Sequence, residues 1–276
     1  MDLKKPSQAI ISLLIVLPLF MFSCKGKSEA TLSADSVAVE DAFKKSNGEM
    51  CKIKTTVVIS YPENYKDQES TERLRQLYCS KILQSPDSMA DIKQALKYYA
   101  NTLLLQNTPL QVSQDNAEVA EDYDNIDVDN FEIRVRITNV YNNNDVLSFC
   151  REIIVEKNDK VTSVIHRYVN FDLLAMKKIS SEDLFVAGSV DQINQMLKSK
   201  LIETQNVKDD DELYMCGFYN LTNLVITDNF YFSDTGLTWC YEPGILAVPA
   251  VGETTLLLPY EDLMRFKSED SALNRV

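Results

Sequence analysis

Few residues in this sequence have the type and spacing to do chemistry. His166 is the sole histidine. It alternates with Val164 and Tyr168, which puts it on the polar-leaning face of a strand, where a hydrogen-bonded surface role is expected. A Cys–His or Ser–His nucleophile pair would have to use His166, and no nucleophile-elbow sequence accompanies it. Zinc would need cysteine for almost every ligand, yet no Cys-x-x-Cys occurs. Asp122, Asp124, Asp127 and Asp129 invite a calcium reading. From Asn125 the first three oxygen positions of an EF-hand loop are filled, but Asn130 stands where the loop needs Gly and Arg136 where it needs Glu. That run therefore reads as a solvated acidic loop. Asp and Glu are abundant, and no pair is singled out for glycosidase chemistry by spacing or apolar surroundings. No metal or cofactor is implied, and the chain is read as non-catalytic.

Six cysteines are present. Cys24 follows an apolar leader and is treated with it below. Cys51, Cys79, Cys150, Cys216 and Cys240 remain, an odd number, and the best candidate disulfide joins Cys216 to Cys240. Small buried thiols are the competing reading, because the spacing defines no framework. Trp239 and Tyr241 alternate on a short strand, and core packing is expected for them ahead of sugar stacking.

The elements that must position these residues can be read from periodicity. Ile53, Thr55, Val57 and Ile59 alternate with Lys52, Lys54 and Thr56, a half-buried strand that Pro62 ends. Leu74, Leu77, Tyr78 and Ile82 form one helical stripe, and Ile92, Leu96, Tyr99 and Leu103 a second. Ser88 and Asp91 resemble a capping box ahead of the second helix. Residues 131 to 171 read as three strands joined by polar turns at Asn142–Asp145 and Lys157–Lys160, an antiparallel meander. A third helix carries Ile193, Met196, Leu197 and Leu201, with Ser189 and Gln192 as a capping box. Asp209 to Glu212 reads as a solvated loop. Short strands follow at about 213–219, 224–232, 237–242 and 254–258. The class is α+β: antiparallel sheets, one the three-strand meander and one of C-terminal short strands, with packed helices.

The N-terminus reads as an address. Lys4 and Lys5 precede the apolar run Ala9 to Phe22, 14 residues long, against the roughly 20 that a membrane span requires. It fits a signal-peptide core. Ser23-Cys24 then gives way at once to Lys25-Gly26-Lys27. A small residue directly before cysteine after such a run resembles the lipobox of bacterial lipoproteins, whose cysteine thiol is acylated. The resemblance implies lipidation of Cys24 with palmitoyl-type chains and anchoring at the cell envelope. Lys25 in place of Asp points to the outer membrane. The formal charge is −13, and near −14 without residues 1–23. Such acidity disfavours nucleic acid and favours cationic partners.

Three C-terminal blocks carry a further resemblance. They are Asn170-Phe171-Asp172-Leu173 with Lys178 to Phe185, then Asp228 to Phe232 with Thr235-Gly236-Leu237, then Tyr241, Pro243, Pro249 and Leu258 to Leu263. Their order and gaps resemble the RsiV-like C-terminal domain, found in lysozyme-sensing anti-sigma factors, some peptidoglycan deacetylases and many lipoproteins. The glycines that family often carries before its Asn-Phe-Asp-Leu strand are absent. The organisation expected is a signal peptide (1–23), a lipid anchor and flexible tether (24–48), an N-terminal α+β accessory domain (49–172), the RsiV-like domain (173–266) and a polar tail (267–276). The resemblance implies a binding or sensing module for peptidoglycan or a cationic muramidase such as lysozyme. Two rivals stand beside it. An exposed apolar patch would favour an envelope protein–protein interaction module, and a cleft holding two perturbed carboxyls a carboxylate-based wall hydrolase.

Overall fold

The computed structural model describes residues 29–44, 50–107 and 130–276. Cys24, the apolar leader and Asp122 to Asp129 lie outside the described residues. Among the described residues, no helix is long and apolar enough to cross a membrane.

A six-stranded sheet runs in sequence order: β1 (Thr31–Lys44), β2 (Met50–Asn64), β3 (Asn130–Asn143), β4 (Val146–Lys157), β5 (Lys160–Asp172) and β6 (Lys177–Ile179). The meander is β3 to β5, as its alternation predicts. Its two turns are Asn144-Asp145 and Asn158-Asp159, all four residues with positive φ. Two-residue loops of that geometry match the natural strand twist and suit Asn and Asp. β2 and β3 pair in parallel, because the chain between them passes through α1 (Gln68–Lys81) and α2 (Ile92–Asn107).

Register decides what each face does, since side chains alternate across a strand. Ile53, Val57 and Ile59 lie level with Phe131, Val135 and Ile137, and Ile137 with Arg151 and Arg167. This face is buried by the predicted stripes of α1 and α2, with Leu74, Tyr78, Leu96 and Tyr99 in the shared core. Asp67 caps α1 by accepting the Ser70 N–H. Asp91 caps α2 by accepting the Gln94 N–H at 2.8 Å, so the cap falls on Asp91 and not on a Ser88 box.

The opposite face divides in two. At one end it carries Lys54, Glu132, Arg134, Arg136, Glu152 and Glu156, joined in cross-strand ion pairs. At the other end Tyr141, Val146 and Asn170 lie beneath a second unit. That unit contains α3 (Val190–Gln205), α4 (Asp210–Met215), β7 (Phe230–Phe232), β8 (Gly236–Tyr241), β9 (Thr254–Pro259) and α5 (Tyr260–Leu263). Its sheet runs β7-β8-β9, around a core of Trp239, Phe230, Phe232, Leu197, Leu201 and Leu256.

Several expectations are corrected. Residues 31–44 are a full strand and no flexible tether: β1 pairs with β2 along its length, and Val37 and Val39 pack on the first core. Backbone bonding to an apolar neighbour outweighs a polar composition there. The 267–276 segment is no free tail. Ala272 and Leu273 are buried, and Arg275 forms an ion pair with Asp172 at 2.8 Å. The boundary at 172/173 does not separate the cores, since Tyr141 and Val146 belong to the second and Leu173 to the first. Asp209 to Glu212 is a helix start, Asp209 accepting the Glu212 N–H, and the strand expected at 213–219 shrinks to a single bridge at Phe218. Ser189 makes no cap box; its hydroxyl donates to the Val186 carbonyl.

Candidate functional site

The second unit bears an exposed apolar surface. Tyr214 and Met215 at the end of α4 are 69% and 85% exposed. Tyr219, Ile245, Val248 and Val251 join them. The chain reverses at Gly217 (φ +93), and a Cβ there would meet Val248 and Val251 at 3.0 and 3.4 Å. Those valines therefore sit directly over the turn that follows α4. The Tyr219 hydroxyl donates to the Gly244 carbonyl at 2.8 Å, bringing Ile245 to the same surface. A contiguous patch of tyrosine, methionine and branched aliphatic side chains is the composition of a protein-binding surface.

Acidic residues flank its segments along the chain. Asp209 to Glu212 form the start of α4, and Glu242 and Glu253 bracket the loop carrying Ile245, Val248 and Val251. From Leu173 to Val276 there are 16 acidic residues against 8 basic, a net of −8 in this unit.

The patch loop is fastened at both ends to β5. Glu242 accepts from Arg167 Nε at 2.8 Å, and Glu253 contacts His166 Nδ1 at 3.1 Å. The other imidazole nitrogen faces Glu152 at 3.6 Å, which is itself near Arg136 at 3.4 Å. His166 is thus held between two carboxylates at the seam of the two units, with no nucleophile beside it in these contacts. Asn229 completes the fastening. Its amide donates to the carbonyls of His166 and Cys240, and its carbonyl oxygen accepts the Tyr168 N–H.

The cysteines do not pair as expected. Cys216 ends α4 and is exposed, whereas Cys240 is buried on β8, and both are free thiols. Cys240 lies at the seam, its N–H donating to the Asn229 carbonyl at 2.8 Å and its own carbonyl accepting from the Asn229 amide at 2.9 Å. Burial pushes the Cys150 thiol up to about 11 and Cys79 to about 12, so both stay protonated at neutral pH. Trp239 and Tyr241 are core residues, fully buried with Phe185 and Phe230 against the indole.

The recognisable blocks prove to be joints that hold irregular chain. Asp183 accepts from the Ser180 N–H and hydroxyl and from Lys177. Asp228 accepts from Ser181 and Lys178. Burial would raise both carboxyls, but these bonds outweigh it and hold them below the usual range. Asp67 is lowered too, chiefly by the Ser70 N–H. The Asn170 amide donates to the Phe230 carbonyl across the seam. No sequence signal pointed to the apolar patch, because its residues come from three separate turns.

An open groove of about 640 Å³ lies between α3 and the β9–α5 corner. Its walls include Gln192, Gln195, Leu258, Asp262 and Arg265, and Glu203, which pairs with Lys200 at 3.0 Å. Among the described residues, no group of three or more His, Cys, Asp or Glu could hold a metal ion.

Residues 182–261 match the model of DUF3298, a family described as a protein of unknown function. A DUF3298 family member from Bacteroides fragilis has a similar crystal structure. Its TM-score is 0.67 at 15% identity, over 90% of this chain and 98% of that one. A DUF3298 family protein from Pseudomonas aeruginosa is similar at TM-score 0.56 and 12% identity, over 89% and 97%. None of the curated proteins matches. At these identities the likeness is one of fold.

Proposed function

We propose that this protein is a non-catalytic binding module of the bacterial cell envelope, anchored by lipid at Cys24 at the outer membrane, whose second unit captures a cationic wall-associated protein of the muramidase class. The observation that carries this reading is the exposed apolar patch on a unit of net charge −8. Apolar area supplies affinity, and the net negative charge of the unit steers a basic partner and speeds encounter. An acidic partner, including a second copy of this chain, would be repelled. The RsiV-like resemblance of the same blocks points to the same ligand class.

A wall hydrolase needs a carboxyl raised to act as an acid. Asp67, Asp183 and Asp228 instead move downward, as anions tied into caps and ion pairs. The groove beside α3 favours peptidoglycan as a second ligand, since amides and charges of both signs line it.

The test is a titration of the chain starting after Cys24 with hen lysozyme at low and physiological salt, with purified peptidoglycan alongside. Micromolar or tighter binding that persists at physiological salt, and is lost in Tyr219→Asp with Val248→Asp, supports the reading. Binding abolished by salt, or unchanged in that variant, removes the patch from the account. Binding to peptidoglycan alone would move the site to the groove. Anchoring is tested separately: Cys24→Ala should release the protein from membranes and abolish palmitate labelling.

A further inference from the structure

The helix-covered face of the large sheet holds a cation that its neighbours do not neutralise. Arg151 on β4 is 8% exposed. Its Nη1 donates to the Ile82 carbonyl at 3.2 Å and to the Tyr99 hydroxyl at 3.5 Å. Its Nε is buried without a partner. Among the described residues, no carboxylate lies within ion-pair distance of it. The residue level with it on β5 is Arg167, so two arginines occupy directly opposed positions on neighbouring strands. Like charges in directly opposed positions repel, and a buried charge without a partner is costly.

Arg167 is half exposed and gives its Nε to Glu242, which leaves one acid for two cations. On the helix side the Arg151 Nη1 meets the Tyr99 hydroxyl at 3.5 Å, and burial raises the pKa of that phenol, which keeps it a donor at neutral pH. The Arg151 guanidinium and the Tyr99 phenol are therefore in contact, with Arg167 on the adjacent strand. In the connection that follows α1, three residues beyond Ile82, the Ser85 hydroxyl is also buried without a partner. Buried polar atoms left unsatisfied in this way mark places where an ion or a water belongs.

We propose that Arg151, Arg167 and the Tyr99 hydroxyl form an oxyanion-binding site that takes a carboxylate or a phosphate between β4–β5 and the helix layer. Every group offered is a donor, and guanidinium forks match the paired oxygens of such anions. The site stands apart from the apolar patch and does not depend on the function proposed for it.

The experiment is thermal unfolding and calorimetric titration of the full chain with inorganic phosphate and, separately, acetate, against sodium chloride at matched ionic strength. A saturable rise in melting midpoint is expected with one or both anions and not with chloride. Arg151→Met should weaken the apparent affinity by roughly tenfold or more, since a hydrogen bond to a charged group is lost. Arg136→Met, on the opposite face, should leave it unchanged. Arg151 also binds the end of α1, so Arg167→Gln provides a variant with an exposed change and should weaken affinity in the same direction. The proposal is overturned if neither anion gives a saturable effect beyond chloride. It is equally overturned if both arginine variants respond as the unmodified protein does.

Discussion

The two hydrophobic cores of this molecule are held by different means. The first lies between long strands and two amphipathic helices, and its order comes from repeated alternation: Ile53, Val57 and Ile59 inward, Leu74 and Tyr78 above them. Its side chains contribute mainly by burial, about 1.5–3 kcal/mol for each large one. The second core is wrapped by short strands and turns that cannot satisfy their own backbone groups. There particular side chains do it: Asn229 for three backbone groups, Asn170 for Phe230, Asp183 and Asp228 for the Ser180–Ser181 turn, and Tyr241 for Val225. A core of the first kind asks for a pattern, and one of the second kind asks for named residues. The family match falls on residues 182–261, where the named residues are concentrated.

This contrast can be broken or sharpened by substitution. The largest effect is expected at Gly236, where an added Cβ would lie 2.2 Å from the Leu258 carbonyl oxygen on the paired strand. Gly236→Ala should destabilise the second unit by about 3 kcal/mol or more, as backbone must move. Urea unfolding would show this, and a loss under 1 kcal/mol would mean that β8 and β9 separate easily. Asn229→Ala should come next, at about 2–4 kcal/mol, because it orphans backbone groups at the seam. Val57→Ala, in the pattern-held core, should cost about 2 kcal/mol by lost burial alone. If Val57→Ala cost more than Asn229→Ala, the distinction between the cores would fail.

A smaller effect concerns acid. The folded-state pKa of Asp228 lies below its ordinary value, so its contribution is fully present above the ordinary carboxylate range. It is lost as pH falls through the depressed value. Asp228→Asn should therefore flatten the acid side of the stability profile, read as urea midpoint from pH 7 down to pH 3, with the neutral-pH loss confined to weakened bonds to Ser181 and Lys178. The smallest effect is chemical. Cys216 is the exposed thiol among the described cysteines, and Cys216→Ser should remove the fast phase of thiol labelling without changing stability. Labelling of Cys240 before unfolding would show that the seam opens.

Much of the first unit, and α3 of the second, was legible because these elements are long enough for a period to show. The meander, its Asn-Asp turns and the stripes of α1, α2 and α3 all followed from spacing. β1 was not, because Val37 and Val39 are too few among Asp, Ser and Glu to outweigh a tether-like composition. The Cys216–Cys240 pairing failed because α4 leaves one thiol on the surface while β8 buries the other. The patch was invisible for a related reason: Met215, Tyr219 and Val248 are ordinary in sequence and meet only because Gly217 reverses the chain.

By itself, then, the sequence determined the secondary structure of β2 to β5 and of α1 to α3, the α+β class, the acidity and the blocks that mark the second unit. These depend on local propensity, on periodicity and on summed charge, all of which are properties of the chain before it folds. The tertiary structure alone decided which apolar residues stay outside, which carboxylates fasten the loop to His166 and Arg167, and that Arg151 is buried beside another cation. Those outcomes depend on register and on contacts between residues far apart in the chain, and no local signal carries them.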